Sequence, residues 1–102
     1  MARLRLITKG FEGHIIVLNL GTNRVGRLSA NHFQIEDPSI SATHCEIVVT
    51  GEAIIVRDHD STNGTFVNGQ RVEEATLGTG QILRLGAVEC LVEDTGHQAG
   101  SH

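Results

Sequence analysis

Tryptophan and tyrosine are absent from this chain, and Phe11, Phe33 and Phe66 are its only aromatics. Without aromatic-rich strands the sequence offers no stacking platform for nucleic-acid bases, and any core has to be aliphatic. Proline occurs once, at Pro38, and cysteine twice, at Cys45 and Cys90. Two cysteines are too few for a disulfide scaffold and form no metal-ligand cluster. Both lie in apolar stretches and are expected as buried, reduced thiols. No apolar run approaches the roughly 18–20 residues of a membrane-spanning helix. The opening Met1-Ala2-Arg3-Leu4-Arg5-Leu6 alternates, unlike the apolar segment of a secretory signal, so an intracellular, cytoplasmic setting is expected. Positive charge is scarce as well: 8 Lys and Arg stand against 12 Asp and Glu, a formal net charge of −4. Nucleic acids call for a basic face, and the arginines here are scattered. A domain of this charge is still able to hold one phosphate group through one local arginine.

What remains is a chain of 102 residues, 39% hydrophobic and rich in glycine, with 12 in all. That length suits one domain with a single core. Short alternating or β-branched runs fall at Arg3–Thr8, His14–Leu18, Asn23–Arg27, His32–Ile35, His44–Thr50, Ala53–Asp58, Thr65–Val67, Gln70–Val72, Gln81–Leu85 and Val88–Asp94. Turn signals such as Leu20-Gly21-Thr22-Asn23, Asp37-Pro38 and Gly78-Thr79-Gly80 separate them, and helical periodicity is missing. The pattern predicts an all-β fold, a sandwich of about ten or eleven short strands in two twisted sheets with little or no helix. Asn68-Gly69 fills both positive-φ positions of a type I′ turn, so its flanks should pair as a tight hairpin. Pro38 lacks an N–H and belongs in a loop. Residues 1–94 form the expected domain. Residues 95–102 have no apolar anchor and read as a disordered tail, ending in a Gly100-Ser101-His102 triplet of the kind cloning leaves behind.

Three segments place polar groups at strand ends: Val25-Gly26-Arg27, Ser39-Ile40-Ser41-Ala42-Thr43-His44, and Asp60-Ser61-Thr62-Asn63-Gly64-Thr65-Phe66-Val67-Asn68-Gly69. A phosphorylated threonine carries about −1.5 to −2 charge and three strong acceptor oxygens. Its capture needs a planar, permanently charged donor, short hydroxyl donors and free backbone N–H groups. Arg27 supplies the first, Ser41 and Thr62 the second, and the turns at Ser41–Thr43 and Asn63-Gly64 the third. Asn63 has both a donor and an acceptor and can grip a peptide main chain. Taken alone, Arg27 reads as a surface salt bridge, Ser41 as a turn hydroxyl and Asn63-Gly64 as a plain tight turn.

In order and spacing, Gly26-Arg27, Ser41-Ala42-Thr43-His44 and Asn63-Gly64 resemble the motifs of a forkhead-associated (FHA) domain. The resemblance runs from about Arg3 to Asp94. It implies an eleven-stranded sandwich that binds phosphothreonine peptides without catalysis or cofactor. It also implies that Arg27 binds the phosphate, that Ser41 donates its hydroxyl, and that Thr62 adds a hydroxyl or backbone N–H. Asn63 would hold the peptide backbone, and Gly26, His44 and Gly64 would support the site, with His44 tying the two binding loops together. Ala42 occupies a peptide-contacting position but brings no polar side chain, and Thr43 and Ser39 stand where basic residues are frequent in the family.

The expected partner is a phosphothreonine-containing protein, either a Ser/Thr kinase or its substrate, and not a nucleic acid or a membrane. Ser41, His44 and a loop aspartate only superficially suggest a hydrolytic triad. Ser and His three apart on an extended segment face opposite ways, and no Gly-x-Ser-x-Gly elbow is present. Glu36-Asp37, Asp58 and Asp60 lack ligand-spaced partners for a metal and read as solvated or turn-capping acids. The alternative function is a phospho-independent interaction or assembly domain of the same fold, which the missing donor at Ala42 would suit.

Overall fold

The computed structural model describes residues 1–94; the tail expected at 95–102 lies outside them. Eleven strands follow one another: β1 (Ala2–Leu6), β2 (Ile15–Val17), β3 (Gly21–Gly26), β4 (Phe33–Gln34), β5 (Cys45–Val49), β6 (Ile54–Asp58), β7 (Thr65–Val67), β8 (Gln70–Arg71), β9 (Glu74–Leu77), β10 (Ile82–Leu85) and β11 (Val88–Asp94). They form a six-stranded sheet in the order β2-β1-β11-β10-β7-β8 and a five-stranded sheet in the order β4-β3-β5-β6-β9. No helix occurs among the described residues, so none there is long and apolar enough to cross a membrane.

Alternation puts these residues in these places. In β5 the side chains of Cys45, Ile47 and Val49 are buried while Glu46 and Val48 turn outward, and β1 buries Ala2, Leu4 and Leu6 in the same way. The two inward faces meet in a core where Leu4, Leu6, Val25, Ile35, Ile40, Ile47, Val56, Leu83, Leu85, Val88 and Val92 are almost completely buried. Each such side chain contributes about 1.5–3 kcal/mol on transfer from water. The core is aliphatic: Phe11 and Phe33 only pack against its margin. Phe66 lies under the guanidinium of Arg84, 3.8 Å from the ring centroid. Cys45 and Cys90 are buried free thiols, and burial pushes the Cys90 thiol up to about 12, far from the range in which a thiolate forms.

The Asn68-Gly69 hairpin is present, with φ of 49° and 85° at the two turn residues and Val67 paired directly with Gln70. Two segments differ from the sequence pattern. The sequence pattern gives no strand between Val72 and Gln81, yet β9 pairs with β6 from Arg57↔Glu74 to Ile54↔Leu77. As an edge strand it exposes Glu74 and Thr76 and buries Leu77, so two adjacent acids do not stop it. β4 is only two residues long and runs parallel to β3, with Val25 opposite Phe33. Pro38 follows it in a loop, as its missing N–H requires.

The antiparallel pairing of β3, β5, β6 and β9, with β4 parallel to β3, has one consequence for function. The ends of β4, β3 and β6 and the starts of β5 and β9 share one edge of the five-stranded sheet. All three polar segments of the sequence emerge there.

Candidate functional site

Arg27 leaves the end of β3, and its backbone N–H donates to Ser41 O at 2.9 Å. Its side chain turns across the neighbouring loop, where Nη1 donates to Ile40 O at 2.7 Å. That bond fixes the guanidinium while leaving most of its five N–H donors. Among the described residues no carboxylate forms an ion pair with it. Among the described residues the structure thus presents a pinned, exposed cation that no carboxylate pairs with.

Ser41 and Thr62 come together from opposite loops. Thr62 N–H donates to Ser41 Oγ at 3.0 Å, so the Ser41 hydroxyl keeps its own proton for another acceptor. The same bond commits the Thr62 N–H, leaving the hydroxyl as the donor Thr62 has to offer. Asn63 Nδ2 donates to Ser39 O at 2.9 Å, which retains one N–H and the amide oxygen of an exposed side chain. Ala42 is half-buried, and its carbonyl accepts from Leu28 N–H and from Asn31 Nδ2.

Beneath this rim lies a fully buried imidazole. His44 Nδ1 accepts from Ser41 N–H at 3.1 Å, and Nε2 lies 2.9 Å from Gly64 O. A carbonyl can only accept, so Nε2 carries the proton and the ring is neutral. Burial lowers its pKa, against a smaller opposing effect of the Gly64 carbonyl and the Asp58 charge. One ring therefore bridges the Ser41 loop and the Asn63-Gly64 loop, and its Nδ1 has no lone pair left to act as a base toward Ser41 Oγ.

The glycines fit this junction by necessity. A Cβ on Gly26 would lie 2.3 Å from Ala42 O and 2.6 Å from Asn31 Nδ2. Gly64 has φ of +93°, and a Cβ there would meet the Phe66 ring at 2.9 Å.

Several residues that hold the site carry little signal in the sequence. Asn31, almost buried, donates from Nδ2 to Leu28 O at 2.8 Å and Ala42 O at 2.7 Å, closing the loop after Arg27. Asp58 accepts from Ser61 N–H, Ser61 Oγ and Thr65 Oγ1, and Ser61 Oγ in turn accepts from Gly64 N–H. Burial would raise the Asp58 pKa, but those hydrogen bonds outweigh it and hold the carboxyl below its usual value. Ser39 Oγ donates to Asp37 and accepts from Ala87 N–H, tying the loop to the other sheet. The spacings Asp37-x-Ser39 and Asp58-x-x-Ser61 are side-chain turn signals, so these acids cap turns. Asn31 had no comparable signal.

A two-sheet sandwich with an arginine, a serine and an Asn-Gly turn converging at one strand edge defines a class, and sequence comparison assigns it. The chain belongs to the FHA domain family, whose sequence profile matches residues 23–86. FHA domains are typically non-catalytic phosphothreonine-binding modules. The chain is 38% identical over 81 residues to FhaA of Mycobacterium tuberculosis, a match covering 79% of this chain and 15% of that protein. It is 31% identical over 74 residues to the glycogen accumulation regulator GarA of Mycolicibacterium smegmatis, covering 72% of this chain and 47% of GarA. The chain thus spans less than half of either relative. Among solved structures, one from work on phosphothreonine-dependent FHA domain interactions superposes with a TM-score of 0.86 at 34% identity, covering 92% of this chain and 96% of that one. The FhaA FHA domain, complexed with the intracellular domain of Rv3910, superposes at 0.84 and 34% identity, covering 91% of this chain and all of that one.

Proposed function

We propose that this domain binds phosphothreonine peptides and thereby recruits a Ser/Thr kinase or a kinase substrate inside the cell. The observation that carries the reading is Arg27, fixed by Ile40 O yet without a carboxylate partner, beside a Ser41 hydroxyl whose proton is uncommitted. Arg27 supplies charge-assisted hydrogen bonds to the phosphate, and the Ser41 and Thr62 hydroxyls add two further donors. Asn63 grips the peptide main chain with its spare N–H and oxygen. Ala42 contributes contact and no hydrogen bond. Gly26, His44 and Gly64 hold the loops in register without touching the ligand.

A single phosphopeptide on so small a surface binds in the micromolar range, near −8 kcal/mol. Arg27→Ala should remove about 2–5 kcal/mol of that by leaving a partly desolvated phosphate unpaired. Arg27→Lys should restore only part, because an ammonium lacks the planar fork. The test titrates an oriented phosphothreonine peptide library against the domain, with the unphosphorylated library as control. Binding that ignores the phosphate would favour the phospho-independent interaction module, and equal binding by wild type and Arg27→Ala would overturn the site.

A further inference from the structure

The edge that carries Arg27 also carries a charge pattern that phosphate capture alone does not explain. Five strand ends meet there, in the order β4-β3-β5-β6-β9. Four inter-strand spacings span about 19 Å, the reach of about six extended residues. A peptide lying across this edge with its phosphate at Arg27 and Ser41 therefore runs out over both sides.

Each side carries a cleft, one lined by Arg27 itself and one by Ser61 beside Thr62. On the β4 side, Arg27 shares a cleft with Leu28, Gln34, Glu36, Asp37 and Pro38. On the β9 side, Ser61, next to Thr62, shares one with Asp58, Asp60, Arg71, Val72 and Glu73. Across the two, five carboxylates face two guanidinium groups. Asp37 and Asp58 are engaged by neighbouring hydroxyl and N–H groups. Among the described residues Glu36, Asp60 and Glu73 form no ion pair. A phosphate brings nearly two negative charges and takes up Arg27, which leaves Arg71 alone against the five carboxylates of the two clefts.

On the reading that this site takes phosphothreonine, we infer that Glu36, Asp60 and Glu73 set its specificity: they select phosphothreonine flanked by lysine or arginine two or three positions away and reject acidic flanks. The acids repel the phosphate itself, so they weaken every ligand that does not bring compensating cations. That is specificity by an unfavourable element, relieved only by the matching partner. The Leu28 and Pro38 surfaces suit the aliphatic stem of such a side chain.

The experiment measures binding of three fluorescent phosphothreonine peptides to the full chain at low and high salt. The peptides are identical except for arginine, alanine or glutamate at the flanking positions, and each has an unphosphorylated control. Exposed charge pairs of this kind are worth roughly threefold each. Affinity should fall in the order arginine, alanine, glutamate, with about tenfold between neighbours, and the gap should narrow as salt screens it. The E36Q/D60N/E73Q variant should weaken the arginine peptide about tenfold and tighten the glutamate peptide. Asn is favoured at the positive φ of Asp60, 54°, so these surface changes leave the fold intact. Phosphate-dependent binding that ignores flank charge, or a variant that keeps the wild-type order, would overturn the inference and leave the phosphothreonine reading standing. Loss of phosphate dependence in all three peptides would remove both.

Discussion

At one end of the five-stranded sheet the loops are tied to segments distant in sequence; at the other the β5–β6 turn closes on itself. The end that carries Arg27 and Ser41 is cross-linked by Asn31 to Ala42, Thr62 to Ser41, His44 to Gly64, and Asn63 to Ser39, spanning 11, 21, 20 and 24 residues. At the opposite end the β5–β6 turn is held by Thr50 Oγ1, which accepts from Glu52 and Ala53 N–H two and three residues away. Asn23 reaches further there, donating to Ile47 O as well as to Asn19 O, and so does Thr79, whose Oγ1 donates to Asp94 O and accepts from Asp94 N–H. Local turns need only the right residues in a row. The site end is a single polar unit whose parts arrive from three loops. That arrangement places the donors before ligand arrives and reduces the ordering cost of binding.

Substitutions that strike this difference should separate the two ends, and glycine gives the largest effect. Gly26→Ala puts a methyl 2.3 Å from a backbone carbonyl, where neither β3 nor the Ala42 segment can yield without breaking the Arg27–Ser41 and Leu28–Ala42 bonds. A loss of about 3 kcal/mol or more is expected, a large part of the 5–15 kcal/mol that holds a domain together. Urea unfolding measures it, and a loss below about 1 kcal/mol would mean the two loops are looser than the tight packing implies.

Polar ties should rank next. Asn31→Ala removes one of two donors from each of two carbonyls, Leu28 O and Ala42 O, which keep only the N–H groups of Asn31 and Leu28. The expected loss is about 2 kcal/mol, with weaker phosphopeptide binding because the loop after Arg27 loosens. Thr50→Ala removes an exposed acceptor that water replaces, so about 0.5 kcal/mol is expected. Denaturant midpoints of the two variants, measured side by side, would break the comparison if they proved equal.

Acid should act on the same end. His44 is buried and neutral, with burial holding its folded-state pKa below the ordinary 6.5. The unfolded chain therefore binds the proton more readily. The contribution of this group is complete above pH 6.5 and declines as pH falls from there toward the folded value, because stability rises with pH wherever the unfolded state holds more protons. Protonation of Nδ1 also sets two donors against each other at Ser41 N–H. Asp58, held below its ordinary 3.8, keeps its contribution above that pH and loses it only in stronger acid. Two successive losses are expected in a pH series of unfolding midpoints. His44→Ala should abolish the first and leave the second.

The same division decides what could be read from sequence. Local signals worked where structure is local: alternation located ten strands, Asn68-Gly69 located its hairpin, and Pro38 marked its loop. The resemblance of Gly26-Arg27, Ser41-x-x-His44 and Asn63-Gly64 to a known motif pointed to residues that the fold brings to one edge. Asn31 stayed hidden because its partners are backbone carbonyls, and backbone atoms leave no mark on residue identity; Ser39 and Ser61 showed only their local turn partners Asp37 and Asp58, not the tie from Ser39 to Ala87 that tertiary folding adds. Strand β9 was missed for a related reason. An edge strand with one polar face needs only Ala75 and Leu77 pointing inward, too short an alternation to stand out beside Glu73-Glu74.

The smallest expected effect is also the cleanest control on the comparison. Gly51 lies in the β5–β6 turn, outside the left-handed region, and a Cβ built there meets no atom within 4 Å. Gly51→Ala should therefore change no contact in the folded state. It removes freedom from the unfolded chain instead, for a gain of about 0.5 kcal/mol. Gly26→Ala and Gly51→Ala add the same methyl to the same sheet, so chemistry is constant between them and only the surroundings differ. A gain at Gly51 beside a large loss at Gly26 would locate the sensitivity in how tightly the Arg27 and Ala42 segments approach. A comparable loss at both would place it in the glycine backbone, and the contrast between the two ends would fail.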